Sequence, residues 1–251
     1  MVQPIRLGML TPSSNTALEP IVCEMVGGLP EVSAHFSRFR VTEIALSDKA
    51  LGQFNDEPIL EAALLLADAK VDVIAWNGTS AGWLGFEADR HLCDRIQAAT
   101  GIPATTSVLA LNEIFQRRGI RQFGLVTPYR GNVQEKIIWN YRQAGFDCVA
   151  EQHLDRQVNF SFAEVTPAEI QSMVRTVATA KPEAITTFCT NLKAAGVVDT
   201  LEQEIQIPIY DTVTVAVWKS LTIAGVDPAR VQGWGSLFQD DSLVMTEMQS
   251  V

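Results

Sequence analysis

The stretch LGMLTPSSN, Leu7 to Asn15, has a counterpart in FGLVTPYRGN, Phe123 to Asn132. Gly8 and Thr11 pair with Gly124 and Thr127, 116 residues further on. In both copies an apolar β-rich run stops at Thr-Pro, where proline removes a ladder donor and restricts the residue before it. Two more pairs follow in the same order. DVIAWNGTSAG resembles EAITTFCTNLKAAG, with Gly78 opposite Cys189 at an offset of 111. GIPATTSVLALNEIF resembles QIPIYDTVTVAVWKSL, with Pro103 opposite Pro208 at an offset of 105. Ordered self-similarity of this kind implies a duplicated architecture.

Around these marks, short apolar runs alternate with helical patterns: IRLGMLT, VDVIAWN, IPATTS, RQFGLVT, FDCVAE, EAITTFC and IPIYD are strands, each followed by a helix. One such helix is expected to begin at Asn191, directly after FCT, and to run to about Glu204. Strands separated by helices imply parallel, helix-covered sheets. The expected fold class is therefore α/β, with two similar halves related by a pseudo-two-fold, each with a parallel sheet of the four-stranded type. The halves are placed at residues 1–115 and 116–230, with the tail 231–251 docking back on the first. Ligands bind at the carboxyl ends of strands in such sheets, so the active site is expected in the cleft between the halves. The strand ends that meet there carry hydroxyls, amides and N–H groups, which suit carboxylate or enolate oxygens.

The 251-residue chain has a formal net charge of −10 and a sequence pI of about 4.8, which argues against nucleic acid or an anionic membrane as partner. Its 47% hydrophobic and 19% charged content is that of a globular protein, compatible with a homo-oligomer. MVQPIRLGMLTPSS opens on a strand pattern rather than on a charged-then-apolar leader, so a cytoplasmic location is expected. The apolar runs are strand-length, too short to span a bilayer. Four scattered cysteines and three histidines show no ligand spacing, so no metal site is expected.

GTSAG, Gly78 to Gly82, matches the G-x-S-x-G nucleophile elbow of serine hydrolases. That chemistry needs a histidine base after the serine. His91 falls in a charged helical stretch and His153 precedes the last third of the sheet, so neither suits the role. Nor does an elbow account for a similar turn 111 residues later.

The duplicated turns resemble those of the aspartate/glutamate racemase superfamily, in its maleate cis–trans isomerase and arylmalonate decarboxylase branch. GMLTPSSNTALEP is similar to the opening of the isomerase branch, VTPY (Val126 to Tyr129) to its tyrosine-bearing turn, and FCTN to its second cysteine turn. VNFSFAEVTPAEI is similar to its segment with a substrate-facing asparagine, here Asn159. Where isomerases and racemases keep a first cysteine, this chain has Gly78, followed by Thr79 and Ser80, as in arylmalonate decarboxylase. The resemblance implies a cofactor-independent enzyme acting on a small carboxylate.

On this basis the expected reaction is decarboxylation of a substituted malonate. Thr79, Ser80 and Tyr129 would hold the enediolate, and Cys189 would protonate it. A helix start after Cys189 would favour its thiolate. Asn15, Ser14, Gly78, Thr190, Asn191 and Asn159 would bind substrate, while Trp76, Trp83 and Phe188 would form apolar walls. Ser37 to Pro58 would cover the pocket. A one-cysteine isomerase or racemase, and a non-catalytic dicarboxylate-binding protein, are the alternatives.

Overall fold

The computed structural model describes residues 3–244. The first half runs β1 (Ile5–Pro12), α1 (Leu18–Val26), β2 (Val32–Phe39), α2 (Asp48–Leu51), α3 (Asp56–Asp68), β3 (Val73–Trp76), α4 (Ala81–Leu84), α5 (Phe86–Thr100), β4 (Ala104–Thr106) and α6 (Ser107–Arg117). The second runs β5 (Gln122–Thr127), α7 (Gly131–Gln143), β6 (Asp147–His153), α8 (Pro167–Ala178), β7 (Ala184–Thr187), α9 (Val198–Ile205), β8 (Ile209–Asp211) and α10 (Thr212–Ile223), before a short α11 (Asp241–Val244). Each half holds a four-stranded parallel sheet, ordered β2-β1-β3-β4 and β6-β5-β7-β8. The orders are identical once the repeat is superposed, and the α/β fold is the one expected.

The repeated glycines have a packing cause. A Cβ on Gly8 would lie 2.8 Å from a Val71 methyl and 3.3 Å from Leu66 of α3. A Cβ on Gly124 would lie 2.3 Å from Val177 of α8. In both halves a central strand must be bare at this point for its covering helix to approach.

Two elements depart from the sequence reading. The first is β2, which no apolar run announces. It is an edge strand, partly exposed along its length, and its VSAHFSRF alternates apolar and polar residues from Val32 to Ser37 and has no continuous apolar run. The second is the segment after Cys189, where a helix from Asn191 was expected. Residues 190–194 form a turn, residues 195–197 one 3₁₀ turn, and α9 begins only at Val198. Within this turn the Asn191 side chain leaves its own segment to bond the other half.

The halves interlock through their last helices. Phe115 of α6, fully buried, packs its ring against Phe123, Tyr141, Phe146 and Tyr210. Reciprocally, α10 packs on α6, β3 and β4. The chain end returns to the sheet: the turn 236–239 lies on β8 and α10, and Arg117 Nη1 donates to Leu243 O at 2.8 Å. The rest of the tail, 245–251, lies outside the described residues. No helix among the described residues is long and apolar enough to cross a membrane.

Phe115→Ala empties the shared core of both halves. It is expected to destabilise the protein by roughly 3–5 kcal/mol, the usual range for a deleted core phenyl, measured by denaturant unfolding.

Candidate active site

The carboxyl ends of the two sheets face one narrow cavity. The first half contributes Gly78 and Thr79 after β3, and the second contributes Tyr129 after β5 with Cys189 and Thr190 after β7. Asn159 completes the polar part. The apolar part comes from Trp76, Trp83, Val41, Ile44 and Phe54. The cavity is about 20 Å³, room for roughly one water, so this is a closed form that must open for a substrate.

A pair of hydroxyls from the two halves meets in the cavity: Thr79 Oγ1 and Tyr129 OH are 2.6 Å apart, and Cys189 lines the same cavity. Burial pushes the Cys189 thiol up to about 12, against the pull of Tyr129 and of the Asn191 and Leu192 N–H groups. The Asp211 carboxyl adds a further push upward. Burial, and then the neighbouring Cys189, likewise hold the Tyr129 phenol well above its ordinary range. Both groups are therefore neutral at neutral pH. This corrects the expectation of a thiolate: the helix start that was to favour it is absent, and burial outweighs the two N–H groups.

Ser14, Asn15 and Asn191 do not line the cavity but lie behind it, in a network that joins the halves. Asn191 Oδ1 accepts from the N–H groups of Thr16 and Ala17 at 3.0 and 3.2 Å, and its Nδ2 donates to Asn159 O at 2.6 Å. Asn159 Nδ2 donates to Ser14 Oγ at 2.8 Å, and Ser14 Oγ to Val41 O at 2.6 Å. Asn15 Oδ1 accepts from Ala17 and Leu18 N–H, while Nδ2 donates to Thr190 Oγ1 at 3.2 Å. Thr190 Oγ1 donates to Asn77 O at 3.0 Å. Asn15 thus holds the turn into α1 and the first N–H of that helix, and Asn191 holds the same turn from across the cleft. Ser80 is buried at the N-cap of α4, also outside the cavity lining.

The proposed apolar walls divide. Trp76 and Trp83 line the cavity, and the Trp83 ring stands edge-on to Tyr129 at 5.5 Å. Phe188 does not; it fills the core between Gly82 and Tyr141. Within Ser37 to Pro58, the residues that reach the cavity are Val41, Ile44 and Phe54. This covering segment is tied to the second half by Ile44 N–H to Gln157 O and Asn159 N–H to Thr42 O, at 2.9 and 3.0 Å. Its three wall residues had no sequence signal beyond their location in that segment.

Among the described residues, no histidine, lysine or arginine lines the cavity. His91 is exposed on α5, and His153 bonds Glu151 at 2.9 Å on a partly exposed edge. The serine-hydrolase reading therefore lacks its base. No group of three or more His, Cys, Asp or Glu side chains among the described residues is placed to hold a metal ion.

The family model for arylmalonate decarboxylase matches residues 9–238. The chain belongs to the arylmalonate decarboxylase family. Within it, the chain is similar to proteins named for two reactions. It is 25% identical over 248 residues to the maleate isomerase of Nocardia farcinica, covering 95% of this chain and 97% of that one. It is 22% identical over 187 residues to the arylmalonate decarboxylase of Bordetella bronchiseptica, covering 73% and 78%. Its fold matches a cysteine-to-alanine variant of the maleate isomerase of Pseudomonas putida S16, solved with maleate, at a TM-score of 0.86 and 24% identity, covering 94% and 98%. The relatives are enzymes, and the family as a whole does not decide between isomerisation and decarboxylation.

The neutrality of Cys189 has a direct readout. Cys23 is exposed, whereas Cys93 and Cys148 are pushed up to about 12, chiefly by burial, as Cys189 is. At pH 8 iodoacetamide is expected to modify Cys23 quickly and Cys189 only on unfolding, as read by mass spectrometry of the peptides. Modification of Cys189 at the rate of Cys23 would contradict the assignment.

Proposed function

We propose that this chain is a cofactor-independent decarboxylase of a 2-substituted malonate. The observation that carries the reading is a single neutral thiol, Cys189, lining one cavity with the hydrogen-bonded Thr79–Tyr129 pair, in which the other half presents Gly78 and an apolar wall. A general acid must hold its proton until the carbon can take it, and a thiol pushed up to about 12 does so.

The substrate's retained carboxylate lies against the Thr79 and Tyr129 hydroxyls, with turn N–H groups beside them. The departing carboxylate lies on the apolar side, among Trp76, Trp83 and Ile44, where it is stripped of water. The C–C bond breaks, CO₂ leaves, and the bonding pair passes into an enediolate held by the hydroxyls. The Cys189 S–H proton then moves to the α-carbon from one face. The thiolate left behind is stabilised by the Asn191 and Leu192 N–H groups and the Tyr129 hydroxyl, until water returns its proton. Ser80, Ser14, Asn15, Asn191 and Asn159 support this arrangement from behind or beside the cavity, and Thr190 from its wall.

The isomerase reading draws on the near full-length similarity to maleate isomerases. It asks for a nucleophilic thiolate, whereas Gly78 offers no thiol and burial keeps Cys189 protonated. A racemase needs an acid/base on each face, which the same two residues argue against.

With a panel of 2-substituted malonates, Cys189→Ala is expected to lower CO₂ release by roughly 10²–10⁴, the usual worth of a positioned general acid. In D₂O the wild-type product is expected to carry one deuterium in a single configuration. Activity is expected to be level through pH 9 and to fall as pH rises toward about 12, because the active form is the protonated thiol. Activity that instead climbs with pH as a thiolate forms, or that survives Cys189→Ala, would sink the proposal.

A further inference from the structure

Gly78 has no room for a side chain, and what takes the room is Trp76. A Cβ built on Gly78 would fall 2.0 Å from Trp76 Cζ2, 2.4 Å from Cε2 and 2.5 Å from Cη2. These are ring atoms of an indole that is 1% exposed, not the free end of a flexible chain. The ring is backed by Phe39, with centroids 4.9 Å apart. Trp76 therefore cannot swing aside without disturbing the core beneath β1 and β2. Gly78 and Trp76 also both line the cavity, on the side that the repeat places opposite Cys189.

We propose that Trp76 closes this site to a second proton-transferring face: its indole fills the space of any side chain at position 78, so a thiol introduced there can act only when residue 76 is made small. Trp76 thus decides what position 78 can carry, and the inference rests on the decarboxylase reading only in the activity it names. Two thiols, one on each face, would exchange the α-hydrogen of the product: the thiolate on one side takes the α-proton, the thiol on the other returns one, and the enediolate lies between. One thiol cannot complete that inversion. With Trp76 in place, a Gly78→Cys side chain would have to displace the indole before reaching the α-carbon.

The test is a cycle of Gly78→Cys, Trp76→Ala and the double substitution, with Trp76→Leu as a milder partner should alanine leave the protein unfolded. Two readouts are taken. The first is the melting temperature, which needs no substrate. Gly78→Cys alone is expected to lower Tm by roughly 2–12 °C, the scale of overpacking a core in a chain of this size. The same change in the Trp76→Ala or Trp76→Leu background is expected to cost far less. The second readout is loss of optical purity and gain of deuterium by the 2-substituted acid product in D₂O. Gly78→Cys alone and the Trp76 single variants are expected to keep product of one configuration, while the double variants racemise it at least tenfold faster than any single.

An unchanged Tm for Gly78→Cys, an equal cost in both backgrounds, or racemisation by Gly78→Cys alone would overturn the proposal. So would a folded double variant that releases CO₂ yet does not racemise its product. If no variant, nor the wild type, releases CO₂ from any malonate, the decarboxylase reading fails by itself. The melting cycle still decides whether Trp76 excludes a side chain at position 78.

Discussion

The carboxamide of Asn191 reaches out of the second half to accept the N–H groups of Thr16 and Ala17 in the first, and donates to Asn159 O. Asn191, Asn159 and Ala17 are buried, and a buried polar group left unpaired costs roughly 1–3 kcal/mol. One side chain therefore fixes several things together. It holds the turn leading into α1 from across the cleft and anchors the 3₁₀ turn at 159–164. The thiol sits two residues away, so the same contact sets where Cys189 lies relative to Thr79 and Tyr129. The reciprocal packing of α6 and α10 joins the two halves through a shared aromatic core.

Chemistry follows from what this register encloses. The cavity holds hydroxyls, an amide and a thiol against indoles and aliphatic groups, with no cationic side chain among the described lining residues. Burial keeps both Cys189 and Tyr129 in their neutral forms. Such a site is poor at stabilising a nucleophilic thiolate. It is well suited to desolvating one carboxylate, holding the other by neutral donors and surrendering one proton. The 2.6 Å contact between Thr79 and Tyr129 brings the donors of the two halves to one place before any ligand arrives.

Much of the fold was legible because its punctuation is repeated: Thr11-Pro12 and Thr127-Pro128, Pro103 and Pro208, Gly8 and Gly124 mark the same bends and the same close helix approaches. β2 escaped because an edge strand needs no continuous apolar run. At the site, Gly78, Thr79, Tyr129, Asn159, Cys189 and Thr190 were all named from sequence and all line the cavity. Ser14, Asn15, Asn191 and Ser80 were named too, but lie behind it, since hydrogen-bonding side chains at strand ends serve caps and ligands alike. The ionisation of Cys189 was not legible: it depends on burial by Val41, Ile44, Phe54 and other distant residues. Nor was the occupation of the Gly78 niche by Trp76, which lies in the direction of one side chain and not in the spacing of the two residues.

The account is tested most directly by offering the wild-type protein maleate and 2-methyl-2-phenylmalonate together, without added metal or nucleotide, and following both by NMR in buffered D₂O. The account predicts that the malonate disappears with release of CO₂ and formation of 2-phenylpropionate carrying one deuterium, while maleate persists. Conversion of maleate to fumarate with the malonate untouched would contradict it.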